Sequence, residues 1–278
     1  MSLFGDRKIG ADYVAPKTSV YGIQRASLFK RLAAFLLDII LCSILTLGIA
    51  TVMSNLVKYD ALSDKLQDKY IEFNVGTMDE TGMITLCEFP IQQEGESDED
   101  YINRCNEDSC YQSYLNFTKD EEVKQLQADL FQKTLIITSL SLLLATALVY
   151  LLFPLLFKNG QTLGMKFVQE GLVTNKGVKV EFTHVFLRWS MGIFVIETMI
   201  PIYSLIYILL TGQGIAILAI FNLLLLLLNL VIYVLTPNHI FIHDLIGGTC
   251  VIDMNTQVIA NSIEEAEDNI KRELDSRR

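Results

Sequence analysis

Four blocks of apolar residues, each about as long as a helix needs to cross a bilayer core roughly 30 Å thick, decide most of what this chain can become. In lipid every backbone N–H and C=O must be satisfied within the chain, so such blocks predict membrane-spanning helices. They run over Arg31–Met53, Thr134–Phe157, Ser190–Leu210 and Ile215–Thr236. The composition, 51% hydrophobic and 19% charged, is concentrated in these blocks and not spread at the spacing of a soluble core. About thirty mostly polar residues precede the first block and no small-residue cleavage site follows it, so the first span is expected to stay as an anchor.

Basic residues in short flanking segments are retained on the cytoplasmic side. Arg7, Lys8, Lys17, Arg25, Lys30 and Arg31 cluster around the start of the first span. Lys158, Lys166, Lys176, Lys179 and Arg188 lie between the second and third, and Thr211–Gly214 carries none. Both termini are therefore expected in the cytoplasm, with the bacterial plasma membrane as the default location. The formal charge of −10 comes wholly from residues 54–133, which hold 18 carboxylates against 7 bases. No basic face is left for nucleic acid. The acidity serves solubility, or attracts cations to a pore mouth. Cys42 and Cys250 lie in or near the membrane, whereas Cys87, Cys105 and Cys110 share the acidic segment, where a disulfide is plausible. Cys105 with Cys110 is the candidate pair, although the pairing among the three is open, and no metal signature or cofactor is implied.

The reading is an all-α membrane protein with four transmembrane helices, a large extracytoplasmic loop domain between helices 1 and 2, and a short cytoplasmic β-hairpin between helices 2 and 3. The 54–133 segment is too long for a bare connection. Leu56, Leu62, Leu66 and Tyr70 suggest that span one continues outward as an amphipathic helix. Thr118 with Glu121 has the form of a capping box opening the helix that leads into span two. The two extensions are expected to pack together, with the acidic run Glu94–Asp100 a solvated loop. In the 158–189 connection, Lys166–Val173 and Gly177–Phe182 are β-prone around Asn175, Lys176 and Gly177, which gives the hairpin. Residues 237–252 form an interfacial piece in which Gly247 and Gly248 permit a sharp turn, and 253–278 is a charged tail.

Charged and polar groups inside spans need partners or a water-filled cavity. Asp38 follows Arg31 by seven residues and returns to nearly the same helix face, roughly 10 Å deeper. Glu197 lies in span three, and Asn222 and Asn229 share a face of span four, where asparagines act as interhelical glue. His243 and Asp244 sit after span four at the level of Arg31. Arg31, Asp38 and Asp244 are the candidate charge network, with Glu197 and His243 as candidates for ion or proton handling.

Arg31 with Asp38, HDLIGGT over His243–Thr249, and Gly160–Gly164 with Lys166 together resemble the RDD family of membrane proteins, from Arg31 to about Val251. Gly177 and Arg188 fall where the family's turn glycine and later arginine would be. The long acidic loop, Met165 before Lys166 and Glu170 at a more usually basic position depart from the pattern. The resemblance implies a family without a settled role, for some members of which transport, including sodium/proton exchange, has been proposed. Two functions fit these residues. In the first, a fixed Arg31/Asp38/Asp244 network holds a scaffold whose outer loop binds a protein partner. In the second, Asp38, Asp244 and Glu197 exchange protons or cations, and with only four spans a homo-oligomer is expected. An enzyme is not expected, since His184, His239 and His243 are the only histidines and no nucleophile elbow, HExxH or phosphate loop accompanies them.

Overall fold

The computed structural model describes residues 26–79, 84–211, 215–236, 238–255 and 259–268. The N-terminal flank through Arg25 and the last ten residues lie outside them. Among the described residues, four helices are long and apolar enough to cross a membrane: Leu28–Leu56 (α1), Glu121–Leu156 (α5), Phe182–Ile208 and Ala216–Leu235. The first two exceed the apolar blocks, because polar turns continue the same helices beyond them. The chain divides into two compact units, residues 47–141 and residues 1–46 with 142–278.

In the 47–141 unit, α1 does not simply extend. Lys58 adopts a left-handed conformation (φ 53°), which breaks the helix before α2 (Tyr59–Glu72). A two-stranded antiparallel sheet follows, β1 (Gly76–Met78) with β2 (Ile84–Leu86). Part of the acidic run expected as loop is helical, since the Ser97 hydroxyl accepts from Asp100 N at 3.2 Å and caps α3 (Asp98–Glu107). Asp108 caps α4 (Ser109–Lys119) in the same way, accepting from Tyr111 N at 2.8 Å. The expected Thr118/Glu121 box is replaced by Asp120, whose carboxylate accepts from Val123 N at 2.9 Å. Thr118 is still inside α4, where its hydroxyl donates to Leu115 O instead. Val75, Phe117 and Val123 form a buried cluster with Leu66, Tyr70 and Phe73 packed on it, so α2 and the start of α5 share one apolar core. The disulfide joins Cys87 to Cys110, not Cys105 to Cys110, and Cys105 is a buried free thiol. Five residues apart, positions 105 and 110 fall on the separate helices α3 and α4, which turn them apart, while Cys87 follows directly on β2.

In the other unit, α5 passes through a π-helical turn at Leu148–Leu152 before ending at Leu156. A short helix, α6 (Leu163–Phe167), takes up the first two residues of the expected hairpin and is capped by Thr162, whose hydroxyl accepts from Met165 N at 3.1 Å. β3 (Glu170–Thr174) does not find its main partner in the segment that follows. It pairs antiparallel with β4 (Thr249–Asp253), with Leu172 opposite Val251 and Val173 opposite Cys250, and only an isolated bridge joins Val173 to Lys179. All five β3 residues are buried, which a two-sided core requires and an exposed hairpin would not. Then come α7, built of Phe182–Leu187, a π-helical stretch Arg188–Met199 and Ile200–Thr211, followed by α8 (Ile215–Leu235) and α9 (Ile242–Gly247). Gly248, at φ 63°, ends α9 and turns the chain directly into β4. Residues 263–268 are helical.

Closing a loop with the Cys87–Cys110 sequence separation of 23 is worth about 3 kcal/mol on chain-entropy grounds. Peptide mapping without reductant is expected to recover residue 87 linked to residue 110, and C110S to make residues 84–119 more protease-sensitive. A recovered 105–110 linkage would overturn this pairing.

Candidate functional site

The interior polar groups of the second unit are brought together by three glycines. A Cβ on Gly192 would lie 2.6 Å from the Cα of His243, and one on Gly247 would lie 2.7 Å from the Cβ of Arg188. Helix α9 can therefore lie against α7 at a distance that only glycine permits. On Gly164 a Cβ would meet Ala34 O at 2.2 Å and the Asp38 carboxylate at 2.9 Å, which brings α6 equally close to α1.

These contacts set the partners. Arg188 donates from Nε to Asp244 Oδ1 at 2.9 Å, and both side chains are almost fully buried. Asp244 also accepts from Thr249 Oγ1 at 3.2 Å and from Phe241 N at 3.4 Å, which ties the start of α9 to the first residue of β4. Burial pushes the Asp244 carboxyl up, but Arg188, His243 and Arg31 outweigh it and hold the group at about 2. His243 Nδ1 lies 2.9 Å from both Glu197 oxygens, and its Nε2 lies 3.6 Å from Asp244 Oδ1. The Asn229 amide donates to Glu197 Oε1 at 3.0 Å, while its carbonyl accepts from Ile242 N at 3.0 Å. The result is a chain of contacts, Asn229–Glu197–His243–Asp244–Arg188, drawn from α7, α8 and α9.

The expected charge network of Arg31, Asp38 and Asp244 has no direct bond between its members, although Arg31 attracts Asp244 electrostatically. Arg31 is buried and donates to two backbone carbonyls, His239 O at 2.6 Å and Val251 O at 2.9 Å. Asp38 accepts from Thr162 Oγ1 at 2.5 Å and Gly164 N at 2.8 Å. Arg31 therefore clamps α1 to the segments flanking β4, and Asp38 clamps it to the cap of α6. The cation that meets Asp244 is Arg188, and it also attracts Asp38 and Glu197 electrostatically. Sequence reading names Arg188 as one of the basic residues between spans two and three and as the position of the family's later arginine, and not as a partner of Asp244. Its position one turn before Gly192 is the signal that could have raised it, because a glycine inside a span marks close helix approach. Of the two asparagines, Asn229 joins the site, whereas Asn222 donates to Leu218 O at 2.8 Å within its own helix.

Glu170 is a buried carboxyl outside the spans, paired across the sheet with Asp253. Burial raises it to about 7; Arg31 and Lys30 pull it down and Asp253 pushes it further up. The salt bridge of Lys30 with Asp253 at 2.7 Å leaves Glu170 without that lysine as a partner.

The sequence model of the RDD family matches residues 25–248 of this chain. No curated protein and no solved structure matches it.

Because the folded state binds the Glu170 proton more tightly than the unfolded chain, its contribution is complete below about pH 4.5 and is lost as pH rises through about 7. The shift corresponds to about 3 kcal/mol. Asp244 has the opposite sign, stabilising above the ordinary carboxylate range and losing that contribution only as pH falls toward about 2. The thermal midpoint of the purified protein is expected to fall between pH 5 and pH 8, and Glu170→Gln to flatten the slope; a slope unchanged by that variant would refute the assignment. Gly164→Ala, which presses a methyl group onto the Ala34 backbone, is expected to cost about 3 kcal/mol, read as lost folded yield.

Proposed function

The chain belongs to the RDD family, and from that premise we propose that this multi-pass membrane protein exchanges protons for monovalent cations, with Glu197 and His243 holding the exchanged proton. The contact between them, 2.9 Å in the middle of a span, carries the reading. The contact chain around it holds one guanidinium group, Arg188, and two carboxylates, Asp244 and Glu197. The site is neutral when one proton sits on the His243 imidazole or on Glu197. In the imidazolium form, Nδ1 donates to Glu197 and Nε2 points toward Asp244. Release of that proton leaves one negative charge where burial makes an uncompensated charge costly. A cation of single charge offsets it, and that substitution is the coupling.

The side chains of His243 and Glu197 are 15% and 20% exposed, against 0% for Asp244, so their end of the contact chain is the more accessible one. Asp244 and Arg188 supply a fixed dipole at the other end. Asn229 holds Glu197 from α8, so that proton gain or loss is felt by three helices. With only four spans a homo-oligomer is the natural setting for a cation path.

A second reading, a membrane scaffold or assembly protein with a partner at the acidic loop, is favoured by a specific observation. Arg31 and Asp38 are spent on backbone groups and on a threonine hydroxyl, as structural clamps would be.

Proton flux driven by sodium or potassium gradients in vesicles containing the purified protein separates the two. Glu197→Gln and His243→Gln are expected to keep folded yield while lowering flux at least tenfold. Asp38→Asn is expected to lower yield, since removing one member of a buried polar contact costs about 1–3 kcal/mol. Wild-type protein that moves no ion while co-purifying with a partner would sink the exchange reading and leave the scaffold.

A further inference from the structure

A second site lies in the 47–141 unit, independent of the proton site. A cavity of about 370 Å³ opens between the end of α1, the start of α2 and the facing turns of α5. Such a volume corresponds to about a dozen waters, far more than a bare metal ion fills. Seven of its nine lining residues are polar, although α1 and α5 are apolar spans over most of their lengths.

That lining is rich in oxygen acceptors. The Thr51 hydroxyl donates to Leu47 O at 2.9 Å, and the Thr134 hydroxyl donates to Leu130 O at 2.8 Å. Each proton is spent on the residue's own helix, so lone pairs are what these oxygens have left to offer. Ser54 Oγ donates to Asp60 Oδ1 at 3.4 Å, and the Tyr59 hydroxyl lies 3.2 Å from Thr134 Oγ1. The neighbouring Lys133 ammonium donates to Val57 O at 2.7 Å, capping the end of α1. Among the described residues no Lys, Arg or His forms an ion pair with Asp60. The cavity thus presents one carboxylate and several oxygen acceptors, and it lacks a positive charge of its own.

We propose that this cavity binds a primary ammonium group carried on a small polar body. Three N–H donors match a wall of acceptors, and the single positive charge matches Asp60. A quaternary ammonium has no N–H to give and meets the same wall poorly. A bare alkali ion leaves most of the volume to water. The cavity sits where the apolar block of span one gives way to polar residues after Met53, the level at which lipid headgroups meet a span. The ammonium can therefore come from an aminophospholipid or from a free amine in solution.

The full-length protein, purified in detergent and exposed to equal amounts of phosphatidylethanolamine and phosphatidylcholine, provides the test. Native mass spectrometry reads how much of each lipid is retained, and free ethanolamine or choline is added as competitor. Wild type is expected to retain at least fivefold more phosphatidylethanolamine than phosphatidylcholine, and Asp60→Asn to bring the two level. Competition by ethanolamine but not choline identifies a free amine as sufficient. Selective retention that ethanolamine does not displace identifies the lipid as the source. Equal retention by wild type, together with no ethanolamine binding by calorimetry, overturns the proposal, as does selectivity unchanged in Asp60→Asn. Should that variant fold poorly, the double variant Thr51→Val with Ser54→Ala must lower the selectivity, and full selectivity in it would also overturn the assignment.

Discussion

The buried ion pair of Arg188 and Asp244 is the interaction on which the arrangement of the polar interior depends. Two charges taken out of water are tolerated only when geometry and further hydrogen bonds are good. Here Thr249 and the Phe241 amide complete the carboxylate shell. The pair fixes the rotation of α9 on α7, and that rotation turns His243 toward Glu197. Without it the imidazole would have no reason to meet a carboxylate in the middle of a span. Close approach at Gly192 and Gly247 is the steric half of the same constraint, since any side chain there would push α9 away.

The π-helical stretch of α7 contributes in its own way. Such stretches are rare, shift the side-chain register and concentrate at functional positions. This one runs from Arg188 to Met199, so it contains both the cation and the mid-span carboxylate of the site. The Thr198 hydroxyl donates to Ile193 O at 2.8 Å, five residues back, as the wider turn requires. Trp189 donates from its indole to Thr146 Oγ1 at 3.2 Å, anchoring the wider stretch to α5.

The four spans and the family were legible in the sequence because both rest on local properties, block length and short motifs. Glu197 and His243 were legible as candidates for the same reason, each being a polar residue in or beside an apolar run. Arg31 and Asp38 were found as residues, but their hydrogen-bond partners were not. Spacing along one helix reports which face a residue shares, whereas partners come from other segments. Thr162 lies 124 positions from Asp38 and His239 lies 208 from Arg31, separations at which no periodicity speaks. The hairpin failed similarly: the β-prone character of residues 170–174 was real, but a nearby turn signal suggested the partner next along the chain. The Cys105–Cys110 expectation made the same error of preferring the neighbour.

The pairing of β3 with β4 also bears on how the protein is made. Residues 170–174 leave the ribosome long before residues 249–253, with two complete spans translated between them. Throughout that interval β3 lacks its main partner and has only the bridge to Lys179, and such open edges invite pairing with other chains. The sheet can close only once synthesis has passed β4, so assembly of this region is a late, post-insertional event. A nascent chain halted after the last span would carry all four hydrophobic anchors and still lack the strand that finishes its fold.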